Sequence, residues 1–280
     1  MAGGTRMWPV VDLTDLLDAL DLTDAGAGRF RARNVTSTLP TTLGSQTLAQ
    51  AVVAAELTVP HMGVQSLHGV FPRGGRADRE VEVEVEVVQS GRALATVQVS
   101  FRQEGREHAR VLAMLSTDEP DFLTHDADLP ADVPGPEECA ELPCALLPWE
   151  VRTLGGADAL APELAGPPSL DVWMRCDKSP DRPAIARALL AHASEAFLGP
   201  VALRPYPEAE IARRGGRGIS AMLAQTVTIH RPFTLREWLL LRCESPFAGR
   251  GRMYGRIEIF TRTGDLVASA NAHGLMRKSG

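Results

Sequence analysis

Lysine is almost missing from this chain: of 29 basic residues only Lys178 and Lys278 are lysine, and the other 27 are arginine. Beside abundant alanine, that bias reads as GC-rich coding, and a net charge of −6 argues against nucleic acid as the main partner. No run of about eighteen apolar residues occurs, so no transmembrane helix is expected. Met1 to Pro9 lacks the apolar core of a signal peptide, which leaves a soluble cytoplasmic protein as the expectation. Cysteine is sparse and scattered (Cys139, Cys144, Cys176, Cys243), with no second pair at zinc spacing. Neither a metal nor a cofactor is therefore expected. Gly-x-Ser-x-Gly, Walker and His-Glu-x-x-His motifs are also missing, which removes support for the common nucleophile, nucleotide and zinc chemistries.

The 44% of hydrophobic residues are enough for a sizeable core in one large or two modest domains. Ala184 to Leu198 reads as a helix started by Pro180, Asp181 and Pro183 and ended by Gly199-Pro200. It is apolar almost all round, so it needs burial on most sides. Glu195 sits near its end, where a carboxylate needs a partner or a chemical role. A second apolar helix opens at Gly44-Ser45-Gln46 and runs from Thr47 to Thr58, carrying Glu56 as its one charge.

Around these helices lie strand signals. Val10 to Leu20 is a short amphipathic stretch, and Phe30 to Val35 a first strand. Val64–Phe71, Glu80–Val88, Ala93–Arg102 and Ala109–Ser116 read as an antiparallel meander with turns at Gln89–Gly91 and Gln103–Gly105. The strict Glu/Val alternation of Glu80 to Val88 marks a half-exposed strand and a possible sheet edge. A stretch rich in Asp, Glu and Pro reads as a surface linker over 118–147. The order then repeats: a strand at Asp171–Cys176, the Ala184 helix, a Pro/Gly/Arg loop over 199–218, and strands near Ser220–Ile229, Trp238–Cys243, Met253–Thr261 and Leu266–Ala272.

His68-Gly-Val-Phe71 matches His230-Arg-Pro-Phe233, and Phe101 to Gly105 matches Phe260 to Gly264 at nearly the same offset. Two matches in register, with helices in corresponding places, point to an internal duplication. The expected architecture is α+β: an N-terminal repeat over 1–117, the linker, and a C-terminal repeat over 148–280, each a curved antiparallel sheet wrapped around a central helix.

This arrangement resembles the double hotdog of the type II acyl-CoA thioesterases. Gly44-Ser-Gln-Thr-Leu-Ala-Gln-Ala51 is similar to the stretch that opens the family's first helix, and Gln65-Ser-Leu-His68 to its His-Ser-Leu-His. Asp171–Arg175, Ala193-Ser-Glu195, Ile229–Phe233, Glu237–Leu240 and Gly264–Ser269 follow in the family's order. The resemblance implies an active site on the second half, formed by an Asp, a Ser or Thr, and a Gln that hold a water against a thioester carbonyl. Counting from His230 and Gly274 places Glu195, Met222 and Ala272 at those positions, so one carboxylate is kept and both neutral partners are apolar. A register slip of two or four residues would bring Ser220 or Thr226 into the threonine's place.

Several roles then stand side by side. Glu195 is a general base with a raised pKa, or a structural carboxylate paired with an arginine of the 199–218 loop. Backbone N–H groups at Gly44, Ser45 and Gln46 polarise a carbonyl, or Ser45 or a nearby threonine simply caps the helix. His68 and His230 occupy equivalent repeat positions and read first as structural; His273 is a weaker base candidate because alternation turns it away from Ala272. Arg73, Arg76 and Arg79, or Arg213, Arg214 and Arg217, pair with phosphates of coenzyme A or of a carrier protein, or are solvated loop residues. The substrate-binding set is thus Gly44, Ser45, Gln46, His68, Met222 and Ala272, around the catalytic Glu195. Hydrolysis of an acyl-CoA or acyl-carrier-protein thioester is the leading expectation, in a homo-oligomer without nucleic-acid or membrane partners. Dehydration, isomerisation or cyclisation on the same scaffold, and plain acyl-thioester binding, are the alternatives.

Overall fold

A computed structural model describes residues 10–36, 39–129, 133–154, 165–206 and 216–278. In chain order the elements are α1 (Leu13–Leu20), β1 (Thr23–Gly26), β2 (Arg29–Ala32), α2 (Gly44–Thr58), β3 (Gly63–Val70), β4 (Val81–Ser90), β5 (Leu94–Gln103) and β6 (Arg106–Ser116). They continue with β7 (Ala140–Glu141), β8 (Glu150–Thr153), β9 (Ser169–Arg175), α3 (Pro183–Ala193), α4 (Leu198–Leu203), β10 (Gly216–Ile229), β11 (Leu239–Gly249), β12 (Arg252–Thr261) and β13 (Leu266–Lys278).

The strands form one sheet in the order β1-β2-β4-β5-β6-β3-β10-β13-β12-β11-β9-β8-β7, antiparallel at every pairing. The junction between the two repeats is β3 on β10, with Leu67 opposite Val227 and His68 opposite Thr226. Of the four strands expected as a meander in the first repeat, only β4-β5-β6 form one: β3 lies beside β6, so it crosses over from the place the sequence pattern gives it as the meander's first strand. That displacement leaves β3 with a free flank, and β10 takes it. Nor is β4 a simple edge. Its Val81–Glu84 segment pairs with β2, and only the later part, with exposed Val87 and Val88, is open. The β5–β6 hairpin turns on Glu104 and Gly105, both at positive φ (50° and 74°), as a two-residue turn of the right twist requires.

Helix α2 is buried from Ser45 through Ala55. It packs on β3–β6 and on α3, which accounts for its having no polar face. On β3, a Cβ at Gly69 would stand 2.6 Å from Leu48 Cδ2, so glycine there lets the helix reach the sheet. Gly255 does the same for Leu198 of α4, at 2.7 Å.

The helix read over 184–198 ends earlier, at Ala193, and restarts as α4, which contains Gly199-Pro200. Proline's ring clashes with the carbonyl four residues before it, so an unbroken helix through Pro200 is barred at Ala196, while Pro200 is tolerated in the first turn of α4. Ser194 assists the break: its hydroxyl donates back to the Ala191 carbonyl at 2.8 Å. Helix α3 packs against α2, whereas α4 packs on β9–β13.

The linker is more than a surface crossing. It adds β7 beside β8 at the end of the sheet, and its Leu142, Leu146 and Leu147 are core residues. Leu129, Val133 and Cys139 pack on Trp173, Trp238, Leu240 and Phe260, while Pro134 accepts a hydrogen bond from Trp173 Nε1 at 2.9 Å. Among the described residues, no helix is long and apolar enough to cross a membrane.

Candidate active site

The break after α3 puts Glu195 in the turn between two helices, directed at the start of α2. The first four N–H groups of a helix, counted from the N-cap, have no partner within it. Leu43 occupies the N-cap of α2 and offers no side-chain acceptor. The cap comes from the other repeat: Glu195 Oε2 accepts from the backbone N–H of Ser45 at 2.5 Å. Neither Ser45 nor a neighbouring threonine caps the helix in the ordinary way, since Thr47 Oγ1 donates to the Leu43 carbonyl. An anion at this point also meets the positive end of the helix dipole.

Two influences oppose each other at this carboxyl. Burial raises its pKa above the ordinary glutamate value, and the hydrogen bonds from Ser45 pull it down, with burial dominant. No ion pair to Glu195 occurs among the described residues. Arg204, the described arginine of the 199–218 loop, donates to the carbonyl of Ser169; Arg213 and Arg214, and the side chain of Arg217, lie outside the described residues. His192, three residues earlier, is no competing base. It is buried, bonded through Nε2 to the Leu146 carbonyl at 2.9 Å, and burial drives its pKa down to about 4.

Gly44 leaves room beside the carboxylate. A Cβ there would lie 3.4 Å from Phe71 Cζ and 3.5 Å from Glu195 Oε2. Gln46 faces elsewhere: Oε1 accepts from Val35 N–H at 2.9 Å, and Nε2 donates to Asn34 Oδ1 at 2.8 Å. Its side chain ties the segment after β2 to the helix, while its backbone N–H, the group expected to face a carbonyl, belongs to the first turn of α2.

His68 is also corrected. Its neighbour Gly69 faces α2, so His68 points to the opposite face of the sheet, where it is exposed and its Nδ1 lies 2.8 Å from Thr226 Oγ1. A substrate held at Glu195 is on the helix side, and His68 cannot reach it. Thr226 shares that outer face and is thereby excluded as the missing threonine, while the side chain of Ser220 lies outside the described residues. His230, bonded to Ser269 Oγ at 2.8 Å, and His273, its ring tilted against Tyr254 with centroids 5.0 Å apart, are exposed as well.

On the inner face, Met222 lies opposite Gly274 and packs against the core, and Ala272 is fully buried. Register shifts flank Met222, as the slip argument allowed, yet they bring no hydroxyl inward among the described side chains. What does point inward is Gln225, directly opposite Ala272 on one side and Gly69 on the other. It is fully buried, and Nε2 donates to Ser194 Oγ at 2.6 Å. The sequence reading missed it. The signal was present: Ile229 and Val227 set the inner face at period two, and Gln225 is the next position on it.

Arg76 pairs with Asp78 at 2.8 Å, and Arg79 lies within 4.0 Å of Asp78 and 3.7 Å of Glu104. These two arginines are thus already neutralised by acids of their own repeat. Beside them a cavity of about 870 Å³, lined by Asn34, Thr36, Pro40, Thr41, Gly75 and Arg76, adjoins the loop that leads into α2.

Fold and site define a class first: a double hotdog in which a carboxylate of the second repeat meets the helix end of the first. A hot dog fold protein from Alicyclobacillus acidocaldarius superposes over 95% of this chain and 98% of its own, with a TM-score of 0.75 at 20% identity. The chain belongs to the acyl-CoA thioesterase family: the family's N-terminal domain matches residues 35–116 and its C-terminal domain residues 123–276. It is similar to acyl-CoA thioesterase 2 of Haemophilus influenzae, 27% identical over 95% of this chain and 98% of that one. It is similar too in structure to the tesB protein of Mycobacterium avium subs paratuberculosis, with a TM-score of 0.79, 27% identity, and 95% and 100% of the two chains covered.

Proposed function

We propose that this protein hydrolyses acyl-CoA thioesters, with Glu195 as general base. The observation that carries the reading is a carboxylate with raised pKa, lacking an ion-pair partner among the described residues and held on the N-terminus of α2. Glu195 takes a proton from water, and the oxygen attacks the thioester carbonyl carbon. Negative charge developing on the carbonyl oxygen falls at the α2 helix end, where first-turn N–H groups and the dipole favour it. Collapse breaks the C–S bond; Glu195 gives the proton it took from water to the departing sulfur, which leaves as coenzyme A thiol, and the acyl group leaves as free acid. The retained Glu–helix geometry and the resemblance of both repeats to acyl-CoA thioesterase domains support this reaction over dehydration or cyclisation.

The 870 Å³ cavity beside the loop into α2 is our candidate path for the thiol-bearing carrier. We assign the activity to the cytoplasm and to a homo-oligomer. A panel of acyl-CoAs and acyl-carrier-protein thioesters, followed with a thiol reagent in wild type and Glu195→Gln, tests it. Free acid and thiol in equal amounts, dependent on Glu195, are expected with the coenzyme A series. Conversion of the acyl group without thiol release would overturn hydrolysis.

A further inference from the structure

We infer that Gln225 is a second catalytic residue, whose side-chain carbonyl holds the attacking water for Glu195; this rests on the hydrolytic reading above. Four observations converge on it. Gln225 is the fully buried amide on the inner face of β10, cross-strand from Ala272, where the resemblance places a glutamine that this chain lacks. Its orientation is fixed: the Ser194 hydroxyl gives its hydrogen to the Ala191 carbonyl at 2.8 Å, so Ser194 Oγ must accept from Gln225, and the atom at 2.6 Å is Nε2. That leaves Oε1 buried with no hydrogen-bond donor among the described residues. Finally, the amide sits in the same layer as the base. Ser194 immediately precedes Glu195, and a Cβ at Gly69, opposite Gln225, would stand 3.4 Å from Phe71 Cζ, the same atom that a Cβ at Gly44 would meet at 3.4 Å beside the Glu195 carboxylate.

A carbonyl oxygen buried without a donor is costly, and apolar replacement would remove the cost. Water between Glu195 and Gln225 answers the deficit. One O–H bond points to the carboxylate and is broken as the proton moves to Glu195. The other donates to Gln225 Oε1 and stays intact, which turns an oxygen lone pair toward the thioester carbon. A new C–O bond forms, the C–S bond breaks as Glu195 returns the proton to the departing sulfur, and the Gln225 amide is unchanged at the end. The amide stands one strand away from the position the resemblance gives it, directly across from the small Ala272.

The test compares kcat, KM and melting temperature for wild type, Glu195→Gln, Gln225→Leu, Gln225→Ala and the exchange Q225A/A272Q, with acyl-CoA as substrate. Gln225→Leu is expected to lower kcat roughly 100-fold, the cost of a mispositioned reactant, with KM within about twofold and melting temperature unchanged or higher. In the exchange variant, which conserves volume across the strand pair, kcat is expected to recover at least about tenfold over Gln225→Ala alone. A purely structural glutamine would give no such rescue. An active wild type whose Gln225→Leu variant keeps its kcat overturns this inference and leaves the Glu195 reading standing. Should Gln225→Leu fail to fold, a folded exchange variant no faster than Gln225→Ala overturns it equally. A wild type without turnover, or one indifferent to Glu195→Gln, overturns the hydrolytic reading and this inference together.

Discussion

Glu56 and Glu195 are the same residue in two copies of one design, and they have different fates. Each lies twelve positions after the first residue of its helix, Gly44 for α2 and Pro183 for α3. The helices run antiparallel, so each carboxylate meets the beginning of the other helix. Glu56 meets a guanidinium there: Arg187 binds it through Nε and Nη2 at 2.6 and 2.8 Å. It also accepts from Val64 N–H at 2.9 Å, and with its lone pairs engaged it is a fastener between α2, α3 and β3. Glu195 meets the backbone of Ser45. A helix end attracts an anion with partial charges, whereas an arginine neutralises it with a full one. In the function proposed above, the duplicated scaffold uses one copy for cohesion and the other for chemistry. Glu56 faces the Arg187 guanidinium and Glu195 the Ser45 backbone, and that difference in partner separates the two copies.

Removing the charge at each site in turn has the largest expected effect. Glu195→Gln is expected to lower kcat with acyl-CoA by about 10³-fold, the usual contribution of a positioned general base. Glu56→Gln is expected to stay within about threefold of wild type, because a fastener loses cohesion before rate. Steady-state kinetics of the two variants measured together decide this, and equal losses would refute the division of roles.

Arg187→Ala sharpens the other side. It leaves the largely buried Glu56 without its cation, for a destabilisation of about 3 kcal/mol and a melting temperature lower by about 8 °C. Calorimetry checks the size, and the rate per folded molecule is expected to hold.

The pH dependence separates the two carboxylates further. Glu195 has a folded pKa raised above its unfolded value, so its contribution to stability is full below the unfolded pKa and is lost as pH rises through the folded one. The stability of Glu195→Gln relative to wild type is therefore expected to rise across that window, in urea titrations at several pH values. Activity runs the opposite way: the base must be ionised, so kcat/KM falls as pH drops through the raised pKa. Ser45→Pro removes one N–H from the first turn of α2, where proline is tolerated, and is expected to move that acid limb to higher pH. The smallest effect belongs to His68→Ala. Its ring lies on the far side of the sheet, and kcat is expected to change less than about twofold.

The wrapped helix, the strands and the duplication were legible because they follow from local rules. Residues 45–55 lack a polar face, Glu80–Val88 alternates at period two, and Phe101–Gly105 repeats at Phe260–Gly264. The break after Ala193 was not legible as a break: Gly199-Pro200 announces itself at its own position, while proline's steric effect acts four residues upstream. The crossover of β3 was likewise hidden, since nothing local to Val64–Phe71 says which neighbour it will pair with. Gln225 was visible in the alternation, though only the network with Ser194 and the unpaired Oε1 gives it meaning.

By itself, then, the amino-acid order determined two apolar helices that require wrapping, the strands to wrap them, and a carboxylate near the end of the second helix. Hydrophobic period and turn chemistry are local properties, and a sequence carries them without reference to distant residues. Tertiary structure alone decided that Glu195 would cap a helix 150 residues away, that His68 would face outward, and that a glutamine would stand across the strand from Ala272. Those outcomes depend on helix direction, on which strands pair, and on where bulges shift the register, and each is settled only when the two repeats close on one another.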